Sequence, residues 1–171
     1  MEPIRRASIE LMEECFAIAA EVNAPLVIHP GYFAWAEERS KSEKQLQRSL
    51  LDLNSLSQEY PIPFFFKYRE YGEYFFLKNP GGTFSYWQSA YALDVGHAHQ
   101  NKCFPAFLRH RTGHYHLNDN RGSEDSHDTV GARTIDFKEV MAVVNNSAII
   151  PILEISSYVG VLQSIEYIRA L

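Results

Sequence analysis

The sequence predicts an α/β fold in which short parallel strands alternate with helices, and two observations support this class. First, five short apolar runs are separated by longer segments, several of which have apolar residues at helical spacing. Second, each run ends at an ionisable residue, namely His29, Lys67, Asp94, His116 and Glu154. Because the carboxyl ends of parallel strands meet at one edge, we expect these five side chains to share one site.

The first part of the chain contains two predicted helices and two predicted strands. Residues 8–22 have apolar side chains three and four positions apart, which predicts a helix, and residues 25–28 form a strand. A leucine stripe after Ser42 predicts the second helix, which Pro61 ends. Residues 62–66 are the second predicted strand.

The rest of the chain begins with an aromatic-rich segment over 68–84 that we interpret as a long functional loop. The later elements are, in order, a strand over 91–93, a short helix over 104–110, a strand over 114–117, a polar loop over 118–133, a helix over 136–144 with Asp136 as N-cap, a strand over 149–153, and a final helix marked by Val159, Leu162, Ile165 and Ile168.

Length and composition predict one domain over residues 1–171, because 171 residues with 46% hydrophobic content can form one core. The net charge of −5 favours a small-molecule substrate over nucleic acid. Two distant cysteines, without a C-x-x-C motif, predict neither a disulfide framework nor a thiolate zinc site, and favour a reducing cytoplasm. No apolar run approaches the roughly 20 residues of a membrane helix, so we expect neither membrane insertion nor secretion.

A group of histidines and acids predicts a metal site. His116 opens the sequence H-L-N-D, and Asp125 and His127 follow as a D-x-H pair in a polar loop. Such a pair presents a carboxylate oxygen and an imidazole nitrogen to one ion, with His97 as a third ligand. A structural role is the alternative for a single histidine on a strand, but the clustering favours metal binding.

Asp94 and Glu154 each end an apolar run, where an unpaired carboxylate is costly to desolvate. We therefore expect a cation or a buried basic partner beside them, and Lys67 is a candidate for that partner. His29, before Pro30, is equally consistent with a metal ligand and with a buried structural histidine.

Four segments resemble, in order, motifs of the xylose-isomerase-like TIM-barrel superfamily: I-H-P-G, A-L-D-V-G-H-A, H-L-N-D-N-R-G-S-E-D-S-H-D-T-V-G and P-I-L-E-I. That superfamily contains sugar and sugar-phosphate isomerases and epimerases, and also the endonuclease IV class of abasic-site nucleases (AP endonuclease family 2). The resemblance covers nearly the whole chain. It implies a partial TIM barrel with about five of the eight βα units, corresponding to the last five.

The resemblance also implies two sets of metal ligands. In the trinuclear-zinc nuclease pattern the ligands are His29, Asp94, His97, His116, Asp125, His127 and Glu154. In the isomerase pattern Asp94, His116 and Glu154 bind one Mn²⁺, Mg²⁺ or Zn²⁺. The sequence departs from both patterns at Lys67, where the family has an acidic residue, and Glu70 or Glu73 would have to replace that ligand from the loop.

The function that we expect first is a divalent-metal-dependent sugar or sugar-phosphate isomerase or epimerase, in which Glu154 is the base and a metal ligand. Lys67 would substitute electrostatically for a lost metal or bind a substrate oxyanion. The alternatives are a zinc-dependent abasic-site endonuclease, with abasic DNA as its substrate, and a non-catalytic metal-binding oligomer. We expect a homo-oligomer, because a partial barrel exposes interior residues such as Phe64 and Phe66.

Overall fold

The computed structural model describes residues 2–68, 74–76, 91–107 and 112–171. The chain forms two compact units. The N-terminal unit comprises Met1–Phe66 with Tyr74–Phe76, and the C-terminal unit comprises Lys67–Glu73 with Leu77–Leu171. No helix in the described ranges is long and apolar enough to cross a membrane.

The N-terminal unit contains two long helices and two parallel strands. Its elements are α1 (Glu2–Val22), β1 (Leu26–Ile28), a 3₁₀ turn (Ala36–Glu38), α2 (Arg39–Glu59) and β2 (Phe64–Lys67), whose last residue belongs to the other unit. Both strands and both helices were predicted, although α1 begins six residues before its predicted start at Ser8. Helix α1 has Phe16 and Ala19 on its buried face, and α2 has Leu46, Leu53 and Leu56.

Phe64 and Phe66, which we expected to be exposed, are instead buried. Phe16 of α1 contacts Phe64 edge to face with 6.1 Å between ring centroids, and Phe64 contacts Phe66 at 5.6 Å. The expectation was wrong because α1 covers this face of the strand pair. These two side chains therefore give no reason for self-association.

The C-terminal unit continues the alternation of strands and helices. Its elements are β3 (Tyr91–Asp94), α3 (Val95–Gln100), α4 (Phe104–Phe107), β4 (Thr112–Leu117), α5 (Phe137–Val144), β5 (Ile152–Leu153) and α6 (Tyr158–Arg169). Strand β4 pairs in parallel with β3 on one side and β5 on the other. In this register Asp94 lies opposite His116, so their side chains leave neighbouring strands at the same level.

Helix α3 is the element that sequence periodicity missed, because its six residues include Gly96 and carry no apolar stripe. Its N-cap is Asp94, whose Oδ1 accepts a hydrogen bond from the backbone N–H of His97 at 3.0 Å. Asp136 caps α5 as predicted, by accepting from the backbone N–H of Lys138.

The predicted final helix is present, but its apolar stripe is not its buried face. Val159 and Leu162 of α6 are exposed and Ile165 and Ile168 are only half-buried, whereas Gly160 and Ser164 are buried. Ser164 Oγ accepts a hydrogen bond from the backbone N–H of Val130 at 2.9 Å, so the helix approaches the polar loop with its small residues. Close contact with the loop therefore decides which face of α6 is buried.

Candidate functional site

Two clusters of potential metal ligands lie at the strand ends of the C-terminal unit. The strand-end cluster consists of Asp94, His116 and Glu154, and the loop cluster consists of His97, Asp125 and His127. Within each cluster, one ligand atom from every residue lies within 4.8 Å of the others. The structure thus brings together six of the seven residues that the resemblance implied as ligands.

The ammonium group of Lys67 lies inside the strand-end cluster. Its Nζ is 2.8 Å from Oδ2 of Asp94, 2.5 Å from Oε2 of Glu154 and 3.2 Å from Nδ1 of His116. His116 Nδ1 is also 2.6 Å from the same oxygen of Glu154, to which its N–H donates. One ammonium group therefore contacts an atom from every member of the cluster.

The two oxygens of Asp94 have different tasks. Oδ1 accepts hydrogen bonds from the backbone N–H of His97 at 3.0 Å and from Nδ2 of the buried Asn118 at 3.1 Å. Oδ2 faces Lys67 in an ion pair between two side chains that are 0% and 2% exposed. The carboxylate is thereby held rigidly, with one oxygen turned to the helix and the other to the cation.

The electrostatics of the cluster keep Glu154 ionised. Burial would raise the pKa of Glu154, but the hydrogen bonds from His116 and Lys67 outweigh it and hold this pKa well below its usual range. Burial would likewise lower the pKa of Lys67, but the charges of Asp94 and Glu154 raise it above its usual value. The side chain of Glu154 is 36% exposed, so it is the member of the pair that solvent or a substrate can reach.

A divalent ion does not fit the strand-end cluster while Lys67 is in place, because the three ligand atoms already converge on Nζ. The charges also conflict: an ammonium group about 4 Å from a divalent ion costs roughly 8 kcal/mol at an effective dielectric constant of about 20. The residues of this cluster form an ammonium site in the structure.

The loop cluster, in contrast, has the donor set of a metal site. Nδ1–H of His97 donates to the carbonyl of Tyr68 at 2.7 Å, and Nδ1–H of His127 donates to the carbonyl of Glu154 at 2.8 Å. Each ring thus turns Nε2 toward Asp125, and both Nε2 atoms are 3.1 Å from its Oδ2. Backbone carbonyls that orient imidazoles in this way are typical of metal-binding histidines.

Neutral imidazoles in this arrangement present lone pairs at Nε2 to a carboxylate oxygen, so a positive charge is required between them. Burial would lower the pKa of His97, but its hydrogen bond to Asp125 and the charge of Asp94 raise it. The pKa of His127 is raised as well, since its hydrogen bond to the Glu154 carbonyl and the charge of Asp125 outweigh burial. Without metal, protons on the two Nε2 atoms supply this positive charge. A bound divalent ion would displace those protons.

The polar loop that carries Asp125 and His127 is held by Asp119. The backbones of Asp119 and Asp128 exchange hydrogen bonds of 3.0 and 2.9 Å, and the Asp119 side chain accepts from the backbone N–H of Arg133 at 2.7 Å. His127 has a positive φ of 47°, which is uncommon for a residue other than glycine. The fold thus holds a strained backbone where an imidazole must face Asp125.

His29 is the predicted metal ligand that joins neither cluster among the described residues. It lies in the N-terminal unit, where it lines a cavity of about 690 Å³. Glu70 and Glu73 lie outside the described residues. The side chain of His114 is close to that of His116, with ring centroids 5.1 Å apart, because alternate residues of a strand point to the same face.

Asn118 is the site residue that sequence reasoning missed. It is fully buried and donates to Asp94, yet its type suggested only the start of a polar loop. Its place in H-L-N-D, directly after a strand that ends at the site, is the signal that identifies it.

Gly96→Ala is expected to destabilise the protein although alanine favours helices. A Cβ at Gly96 would lie 1.9 Å from Oδ1 of Asn118 and 2.8 Å from Nδ2 of Asn120, both buried side chains. We expect a loss of about 1–3 kcal/mol in the free energy of unfolding, measured with urea, instead of the gain of about 1 kcal/mol at an open helix position. Unchanged or higher stability would show that Asn118 moves without cost.

No model of a known protein family matches the sequence. An uncharacterized protein of Methanocaldococcus jannaschii is 29% identical over 141 residues, which are 80% of this chain and 56% of the relative. The chain therefore spans little more than half the length of this relative.

Solved structures resemble the chain over its full length. A D-tagatose 3-epimerase-like protein has a TM-score of 0.90 at 19% identity, and the match covers 99% of this chain and 70% of that protein. The E. coli 3-keto-D-glucoside 4-epimerase has a TM-score of 0.73 at 15% identity, and the match covers 100% of this chain and 73% of that protein. A Thermus thermophilus protein soaked with zinc chloride has a TM-score of 0.74 at 16% identity, with 99% of this chain and 70% of that protein covered. The described residues have the fold of a partial xylose-isomerase-like TIM barrel, with five parallel strands among them.

Proposed function

We propose that the protein is a sugar or sugar-phosphate isomerase or epimerase that acts with a divalent cation held at the loop cluster. The observation that carries the proposal is the carboxylate of Glu154. It is ionised, partly exposed and fixed by Lys67 and His116 at the end of a strand. The names of the epimerases with the same fold add support.

In this proposal Glu154 removes a proton from the carbon next to the substrate carbonyl. Its lowered pKa keeps the carboxylate ionised but makes it a weak base, so the reaction requires a substrate carbonyl that is polarised by the bound cation. The electron pair of the broken C–H bond moves into an enediolate. Return of the proton by Glu154 to the neighbouring carbon gives the isomer, whereas the epimer forms when a second acid or water protonates the same carbon on its other face. Lys67 is only 2% exposed, so we assign it a positioning role: it acts on the substrate through Glu154.

His97, Asp125 and His127 would hold the cation, which is Zn²⁺, Mn²⁺ or Mg²⁺. When bound, such an ion supplies a Lewis acid that polarises a substrate oxygen. The orienting hydrogen bonds from both Nδ1 atoms support the assignment.

The proposal is tested by deuterium exchange in D₂O with a panel of ketoses, aldoses and their phosphates. Exchange at the carbon next to the carbonyl, read by NMR, supports isomerase or epimerase chemistry, whichever product forms. An abasic DNA duplex is incubated in parallel. Incision without sugar exchange would favour the nuclease, and neither activity in a metal-loaded sample would favour a non-catalytic protein.

His127→Ala is expected to remove the metal from the loop cluster. The change deletes one of three ligands and the strained presentation of its imidazole, so Zn²⁺ affinity should fall by at least about 100-fold. Elemental analysis after dialysis measures the bound ion. His114→Ala is the matched control, because His114 lies in neither cluster of the described residues; equal metal content in wild type and both variants would overturn the assignment.

We also propose that the chain forms a homo-oligomer. Several large apolar side chains of the C-terminal unit are exposed, including Ile150 at 84%, and Val159 and Leu162 lie three residues apart on α6. The double variant Val159→Glu, Leu162→Glu is expected to lower the molar mass in light scattering toward the 19.7 kDa of one chain. A monomeric wild-type protein would contradict the proposal.

A further inference from the structure

The ammonium group of Lys67 lies against the three side-chain atoms that would ligate a metal ion at the strand-end cluster. Its Nζ lies 2.8 Å from Asp94 Oδ2, 2.5 Å from Glu154 Oε2 and 3.2 Å from His116 Nδ1. We propose that Lys67 is a permanent, covalently attached replacement for the divalent cation, so that the strand-end cluster excludes metal in the wild-type protein. This inference concerns ion content and does not depend on the proposed activity.

The charges of the cluster support the replacement. The fully buried carboxylate of Asp94 needs a cation, and the partly exposed carboxylate of Glu154 lies beside it. The ammonium group of Lys67 supplies both with one positive charge and N–H donors. A divalent ion added beside it would face that charge at close range and would find its ligand atoms already in contact with Nζ. A vacant metal site would contain no resident positive charge, and its ligand atoms would not already be in contact with a cation.

Burial indicates that the ammonium group is resident. Lys67 is 2% exposed and Asp94 is 0% exposed, and Oδ2 of Asp94 faces Nζ. If Lys67 turned away, this oxygen would keep a buried charge without its cation. A passing metal ion therefore cannot displace the side chain at low cost.

The two possible roles of Lys67, as a substitute for a cation or as a side chain that only fills space, lead to different expected results when Lys67 is replaced. If Lys67 stands for the ion, an uncharged side chain of similar length should open a metal site with Asp94, His116 and Glu154 as ligands. If Lys67 only fills space, the same change should create no affinity for metal. The loop cluster must be silenced first, because it would bind the added ion and mask the result.

The experiment uses Co²⁺, whose visible absorption reports coordination, together with elemental analysis after dialysis. The full-length chain carries Asp125→Asn in every sample, and Lys67, Lys67→Arg and Lys67→Met are compared. We expect no bound ion with Lys67 or Lys67→Arg. With Lys67→Met we expect about one ion per chain and at least about 100-fold higher affinity. Adding His116→Ala to the Lys67→Met protein should abolish this binding.

Two results would overturn the inference. The first is an ion that binds while Lys67 is intact and is lost when His116→Ala is added, since that ion would lie at the strand-end cluster. The second is a folded Lys67→Met protein that gains no metal binding. If Lys67→Met does not fold without metal, its circular dichroism is measured with and without Zn²⁺. Recovery of the folded signal on adding Zn²⁺ supports the inference, and no recovery opposes it. Lys67→Gln, whose amide can still donate to Asp94, serves as a second variant. Metal binding by this variant supports the inference, and no binding in the folded protein opposes it.

Discussion

Glu154→Gln is expected to lower the rate of deuterium exchange into a sugar substrate by about 10²–10⁴-fold, the usual contribution of a general base. Glutamine has the size of glutamate but its amide cannot accept the proton. The carboxylate is the partly exposed group of the strand-end cluster, so the described residues offer no equally placed substitute within that cluster. NMR of the substrate in D₂O measures the rate for both proteins.

The same variant contains its own control. The main-chain carbonyl of Glu154 accepts from His127, at 2.8 Å, so the substitution leaves this orienting hydrogen bond of the loop cluster intact. Metal content should therefore equal that of the wild type while exchange is lost. Exchange at the wild-type rate with normal metal content would remove Glu154 from the reaction, and loss of both would indicate a general structural effect.

Lys67→Met is expected to reduce the free energy of unfolding by about 3–5 kcal/mol in the absence of added metal. Methionine fills similar space, so the loss comes from the charge: Asp94 remains fully buried without its cation, and Glu154 loses a donor. Urea unfolding followed by circular dichroism measures the difference.

Arg6→Met is the control for removing a cation. Arg6 pairs with Glu2 four residues away on α1, and its side chain is 73% exposed, so we expect a loss below about 1 kcal/mol. Equal effects of the two substitutions would mean that the Lys67 ion pair is no stronger than a surface pair.

Strand order alone predicted that Lys67, Asp94, His116 and Glu154 meet, because parallel strands end at one edge. The same rule also included His29, which belongs to neither cluster among the described residues. Asp94, His116 and Glu154 follow from that rule, and the D-x-H pair points to the loop cluster. The rule does not say which cation fills a cluster. Lys67 was recognised as a departure from the family and as a candidate partner of Asp94, but its contact with all three members depends on side-chain conformations that no periodicity encodes.

Other features depended on tertiary contacts. Helix α3 is short and exists because Asp94 caps it, and the buried face of α6 is set by Gly160 and Ser164 at the loop. The burial of Phe64 by Phe16 likewise requires knowing where α1 lies. Apolar stripes predicted that the long helices exist, but contacts with neighbouring strands and loops determine which face of each element is buried.

The split roles of the two Asp94 oxygens give a rule for engineering the ion content of this protein. Oδ1 builds the start of α3 and so places His97 in the loop cluster, while Oδ2 serves the strand-end cluster. A designer who alters Asp94 would disturb both clusters at once. A change at position 67 leaves Oδ1 and its helix untouched, so that position is where we propose that an ammonium centre can be exchanged for a metal ion.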